Sequence, residues 1–110
     1  MSFSVKKNAI MLTRGDTFKG RVSITTPDGS EYVPESGDRI RFAMKRDYND
    51  LDVLIEKDIP IDTMMLVLES SDTKPFAFGD YVYDIQITKA NGDVDTFITK
   101  SRITLTEEVK

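Results

Sequence analysis

The chain contains neither cysteine nor histidine in its 110 residues. Without cysteine there is no disulfide, no thiolate nucleophile and no zinc thiolate site, so folding does not depend on an oxidising compartment. Without histidine, the usual general base near neutral pH and the commonest transition-metal ligand are both missing, which excludes Ser-His-Asp, Cys-His and imidazole-metal chemistry. Long apolar runs are absent too. Lys6 and Lys7 are followed only by Ala9-Ile10-Met11-Leu12, which is too short for a signal-peptide core or a membrane span. The chain is therefore expected to stay in the cytoplasm where it is made, or to leave it inside a larger assembly, with no membrane partner. Finally, there is no run of like charge: 15 basic and 19 acidic residues are interspersed to a net −4. A nucleic-acid binder would carry a basic excess or stripe, so none is expected as a partner.

What is present is strand periodicity. From Gly79 to Phe97, Tyr81, Tyr83, Ile85 and Ile87 alternate with Val82, Asp84, Gln86 and Thr88 before Asn91-Gly92 and Val94-Asp95-Thr96-Phe97-Ile98. Alternation of period two marks a strand with one buried face. Asn91-Gly92 predicts a type I′ hairpin turn, because both residues tolerate the positive φ that such a turn needs.

The same reading extends along the chain. Residues 1–7 are polar and expected to be frayed, leaving one domain over 8–110, a length at which folding buries roughly two-thirds of the unfolded chain's surface. Ile10 and Leu12 begin a strand that stops at Arg14-Gly15-Asp16. A second strand carries Phe18, Val22 and Ile24 on one face, with Gly20 between them, and turns at Thr26-Pro27-Asp28-Gly29. Glu31-Tyr32-Val33 is a short edge segment. After Ser36-Gly37-Asp38, Ile40, Phe42 and Met44 alternate with Arg39, Arg41 and Lys45. A polar loop over Tyr48–Asp52 leads to a strand with Val53, Ile55 and Ile59 inward, which Pro60 places at a sheet edge. Met64, Leu66 and Leu68 line the next strand. Ser70–Pro75 reads as one capped helical turn. Ile103 and Leu105 line a last strand over Arg102–Thr106. Seven or eight strands with one short helical crossing predict an all-β, immunoglobulin-like antiparallel sandwich.

No residue set reads as catalytic, and no cofactor is expected. Arg14-Gly15-Asp16 spells a cell-adhesion tripeptide but has the composition of a tight turn. Asp47, Asn49, Asp50, Asp52 and Asp58 resemble a calcium loop, yet Leu51 and Asp52 stand where that loop needs an oxygen ligand and a glycine, and Asp58 where it needs a glutamate. The candidate interaction surface is Tyr32, Tyr48, Phe76, Phe78, Arg39 and Arg41. The four rings are the available contact anchors, Phe76 or Phe78 being the residue expected to plug one end of the sandwich. Arg39, Arg41 and Lys45 form a basic stripe, joined in sequence by Lys19 and Arg21. Arg41 and Asp84 are expected on neighbouring strands and on the same outward face, where cross-strand charge pairs contribute roughly 0.2–1 kcal/mol each.

The order of these signals resembles a known family. Thr13-Arg14-Gly15-Asp16-Thr17, Pro27-Asp28-Gly29, Gly37-Asp38 before Ile40-Arg41-Phe42, Ser71-Asp72-Thr73-Lys74 and Gly79-Asp80-Tyr81-Val82-Tyr83-Asp84-Ile85 resemble small structural proteins of tailed phages and prophages of Gram-positive bacteria. The chain is similar to the N-terminal immunoglobulin-like domain of phage baseplate upper proteins. The resemblance implies a non-catalytic assembly module of the baseplate, tail or head, made in the bacterial cytoplasm. It further implies other virion proteins as partners and self-association into a homo-oligomer. The reading from a different class is a module that binds carbohydrate or another cell-surface ligand.

Overall fold

The computed structural model describes residues 3–6, 9–25 and 28–107. Among them are ten strands and one helical turn: β1 (Phe3–Lys6), β2 (Ala9–Thr13), β3 (Phe18–Arg21), β4 (Ile24–Thr25), β5 (Glu31–Tyr32), β6 (Arg39–Lys45), β7 (Ile55–Ile59), β8 (Met65–Leu68), α1 (Ser70–Thr73), β9 (Gly79–Thr88) and β10 (Val94–Thr106). A six-stranded sheet in the order β1-β2-β10-β9-β6-β7 faces two two-stranded sheets, β3-β8 and β4-β5. With β10-β9-β6-β7 in one layer and β3-β8 in the other, the chain has the G-F-C-C′ and B-E pairings of an immunoglobulin-like sandwich.

Alternation builds the core. Ile40, Phe42 and Met44 of β6 and Tyr81, Tyr83, Ile85 and Ile87 of β9 are all buried, and they form one apolar cluster with Phe18, Leu66 and Leu68 from the facing layer. The Phe42 and Tyr83 rings lie 5.2 Å apart in a tilted pair. Ile10, Leu12, Ile103 and Leu105 extend the cluster beneath β2 and β10.

Between β8 and β9 the chain crosses from one layer to the other. The crossing is α1, whose start is fixed by the Asp72 carboxylate accepting the Glu69 N–H at 2.7 Å; neither serine supplies that cap. Beyond it, the Tyr81 hydroxyl donates to the Ala77 carbonyl at 2.8 Å, a bond from the start of a strand back to the corner preceding it. Tyr81→Phe keeps the buried ring and deletes this bond, so a loss of about 0.5–1.5 kcal/mol is expected in denaturant melts.

The structure departs from the sequence reading at several joints. Residues 3–6, expected to be frayed, form β1 and pair antiparallel with β2. β2 in turn pairs parallel with β10, Ile10 opposite Ile103 and Leu12 opposite Leu105, so the sandwich is not purely antiparallel. The expected strand over 18–25 is two strands, because Val22 donates to Met64 O at 2.7 Å and the chain then exchanges its partner β8 for β5. The two arms expected at 94–98 and 102–106 are one strand, β10, with register shifts between Thr96 and Ile98 and between Ile98 and Ser101. The hairpin turn has three residues instead of two. Gly92 N donates to Lys89 O and Lys89 N to Asp93 O, both at 2.8 Å, and Gly92 alone takes positive φ (97°) while Asn91 does not. This is a turn followed by a left-handed glycine, not the mirror-image turn. Val53, expected inward, is exposed, whereas Met64 is buried just before β8 at a φ of 55°. Thr26 and Pro27 of the expected turn lie outside the described residues.

β7 is the margin of the large sheet, as Pro60 implied. Its middle residue, Lys57, points inward between Ile55 and Ile59 and reaches Asp72 Oδ2 of α1 at 2.9 Å. An inward charge on an edge strand blocks pairing with a foreign strand, since such pairing would bury or displace it.

Candidate functional site

Strand polarity sorts the candidate residues. The C-terminal ends of β2, β6 and β10 and the start of β9 meet at one end of the sandwich, with the α1 crossing. There Arg14 Nη1 donates to Phe76 O at 3.2 Å while its guanidinium lies 4.4 Å from the Phe78 ring centroid. Gly15 N donates to Oγ1 of the fully buried Thr73 at 2.8 Å. The tripeptide Arg14-Gly15-Asp16 is thus a turn, with Gly15 at φ 85° and Asp16 N bonded to Thr13 O, that ties β2 to the crossing. Phe76 is half-buried against the core and meets Tyr81 edge-on at 6.3 Å; it is the plug. Phe78 is 44% exposed. The Arg46 guanidinium sits 4.9 Å from the Tyr81 ring centroid.

Tyr32 lies at the opposite end. Its hydroxyl donates to Asp38 Oδ2 at 2.7 Å, and the same oxygen accepts Glu35 N at 2.9 Å while Asp38 Oδ1 accepts Ala90 N at 3.2 Å. Lys89 Nζ stands 5.4 Å from the Tyr32 ring centroid. Asp38 therefore binds the β5–β6 connection to the β9–β10 hairpin. The hydrogen bonds from Glu35 N and Tyr32 hold the Asp38 carboxyl below its ordinary 3.8, so its contribution to stability is complete above that pH and lost as the pH falls through its folded value. Tyr32 moves the other way: the bond to Asp38, then partial burial and the charges of Asp38 and Glu35, push its hydroxyl from 10.0 up to about 12. Burial raises Tyr83 as well. Between those values the folded chain keeps a proton that the unfolded chain releases, so stability is full below pH 10 and falls as pH climbs toward 12. The urea midpoint is expected to drop across this window, and Tyr32→Phe to flatten the drop although it lowers the midpoint at neutral pH. An unchanged slope in Tyr32→Phe would refute the assignment.

Arg39 and Arg41 occupy the outward face of the large sheet. Arg41 stands opposite Gln86, and Asp84 opposite Ala43, so Arg41 and Asp84 do share that face on adjacent strands. The ion pair, however, goes to β7: Arg41 Nη1 is 3.5 Å from Glu56 Oε1. Both side chains are about half exposed, so it adds little stability. Lys19 and Arg21 lie on β3 in the other layer and do not extend this stripe.

Tyr48 belongs to the β6–β7 loop. It lines a depression of about 220 Å³ on the outward face with Ala43, Lys45, Val82 and Asp84. The loop is held by Asp47 N donating to Asp50 Oδ2 (3.1 Å), Asp50 N to Asp47 O (3.1 Å) and Leu54 N to Met44 O (2.8 Å). Of the carboxylates that resembled a calcium loop, that of Asp50 is bonded into this turn, and among the described residues no group of three or more Asp or Glu side chains is placed to hold a metal ion. The turn holds Leu51 outward at 96% exposure, beside exposed Tyr48 and Val53. Leu51 is the most exposed large apolar residue among those described, and the sequence reading missed it, as it did exposed Met11, Val33 and Val94. A lone leucine between Asp50 and Asp52 was its signal.

The six candidates thus fall in three places, Tyr48, Phe76 and Phe78 toward one end, Tyr32 at the other, and Arg39 and Arg41 on the outward face. Fold and surface together define the class, an immunoglobulin-like β-sandwich whose distinctive side chains lie at its ends and on one sheet face. Comparison with protein-family models, with curated proteins and with solved structures finds no match.

Proposed function

We propose that the chain is a non-catalytic structural module of a tailed-phage or prophage particle, joined to other virion proteins. The observation that supports this reading is where the family-like motifs fall. Thr13-Arg14-Gly15-Asp16-Thr17, Ser71-Asp72-Thr73-Lys74 and Gly37-Asp38 are the ties of the sandwich, through Gly15 N to Thr73, Arg14 to Phe76, and Asp38 to Tyr32, Glu35 and Ala90. The likeness therefore rests on residues that set the architecture. Exposed Tyr48, Leu51 and Val53 on one hydrogen-bonded loop add an apolar surface of the kind an assembly subunit needs. Mass spectrometry of density-purified particles, from the phage or induced lysogen that carries the gene, tests the proposal. The chain is expected in a fixed ratio to the tail proteins. Particles of normal composition without it would overturn the reading.

A further inference from the structure

A group of exposed apolar side chains, unlike a single scattered one, marks a contact surface, and Tyr48, Leu51 and Val53 are all exposed on one hydrogen-bonded loop. We infer that the β6–β7 loop is one half of a reciprocal contact between two copies of this chain, with Leu51 of each copy entering the depression over Ala43 and Val82 of the other. This deepens the assembly reading and rests on it.

The two halves match in chemistry. Residues 47–54 present Tyr48, Leu51 and Val53 with three carboxylates, Asp47, Asp50 and Asp52, and no cation. A receiving surface must then be apolar and flanked by positive charge. On the outward face Val82 stands between Arg102 of β10 and Lys45 of β6 in register, and Ala43, two residues before Lys45 on β6, leaves the floor low. The resulting depression, about 220 Å³, accepts a leucine side chain. Asp84 borders it on the Ala43 side, which directs the incoming carboxylates toward Lys45 and Arg102.

The two halves also lie side by side. Tyr48 of the loop lines the depression of its own copy, so knob and hole are adjacent on one surface. A two-fold axis beside such a pair brings each loop over the other copy's hole at once, which closes the contact as a dimer. Edge-to-edge joining through β7 competes poorly, because inward Lys57 guards that margin.

Sedimentation velocity of the purified chain, from about 1 µM to about 1 mM, covers the affinities such a contact can have. A monomer–dimer equilibrium is expected, weakened on the order of tenfold or more by Leu51→Ser, as for loss of a central anchor. Leu51 is absent from the core cluster, so at concentrations where both chains are monomeric this variant should melt as the parent does. Lys45→Asp should weaken the dimer as well, and Lys45→Asp with Asp52→Lys in one chain should restore it. Arg21→Asp, on the opposite layer, should leave it unchanged. A monomer throughout, a dimer indifferent to Leu51→Ser, or failure of the paired charge exchange to rescue would each overturn the reciprocal contact. A monomer that is still found in particles would sink this inference and leave the structural reading standing; a dimer absent from particles would do the opposite.

Discussion

Ile85→Ala is expected to lower the unfolding free energy by about 2–5 kcal/mol, the range for truncating a buried aliphatic side chain whose neighbours cannot collapse into the gap. Ile85 is 2% exposed, on the strand that lies between β6 and β10, with Phe42 opposite it on one side and Ile98 on the other. Both neighbouring backbones are fixed by their ladders, and Phe42 is itself held against Tyr83. The space left by the lost carbons therefore stays largely empty. Denaturant melts of parent and variant, with the m-value checked for constancy, measure the loss. A change under about 0.5 kcal/mol would mean that the centre of the sandwich repacks far more freely than its ladders allow.

Gly20→Ala should destabilise by about 1–3 kcal/mol, although adding a methyl group to an extended backbone ordinarily helps a strand. The reason is the Phe18 ring. A Cβ on Gly20 would stand 2.7 Å from Phe18 Cζ and 2.9 Å from Cε2, and Phe18 is 2% exposed, so the ring must leave a packed site to make room. Phe18→Leu removes the obstruction. In a double-mutant cycle the pair should cost clearly less than the sum of the single changes, and simple additivity would show that the two residues do not compete for the same volume.

These two positions also show what a sequence can and cannot tell. Tyr81, Tyr83, Ile85 and Ile87 were legible as an inward face because period two is a local property, set by the alternation of Cβ directions along one strand. Gly20 was legible as an interruption of such a face, but the ring that fills its space was not. The parallel pairing of β2 with β10 has no local signature, since it joins residues more than ninety positions apart by backbone groups that every residue carries. Asn91-Gly92 announced a hairpin yet not its length, because a left-handed glycine serves a three-residue loop as well as a two-residue one. The contact surface was the least legible part. Leu51 sits among aspartates in a stretch that reads as polar, and the loop bonds of Asp47, Asp50 and Leu54 that shape its surroundings have no signature in the sequence.

The parallel alignment of β2 and β10 has a mechanical consequence. Tension applied through the chain before β2 and after β10 pulls the two strands in opposite directions along their common axis. The hydrogen bonds between Ile10–Thr13 and Ile103–Thr106 are then loaded together in shear, whereas the antiparallel β1–β2 ladder can be peeled one pair at a time. Under an axial pull the molecule should first surrender β1 with little extension and then resist abruptly, its force-bearing element being the clamp between β2 and β10.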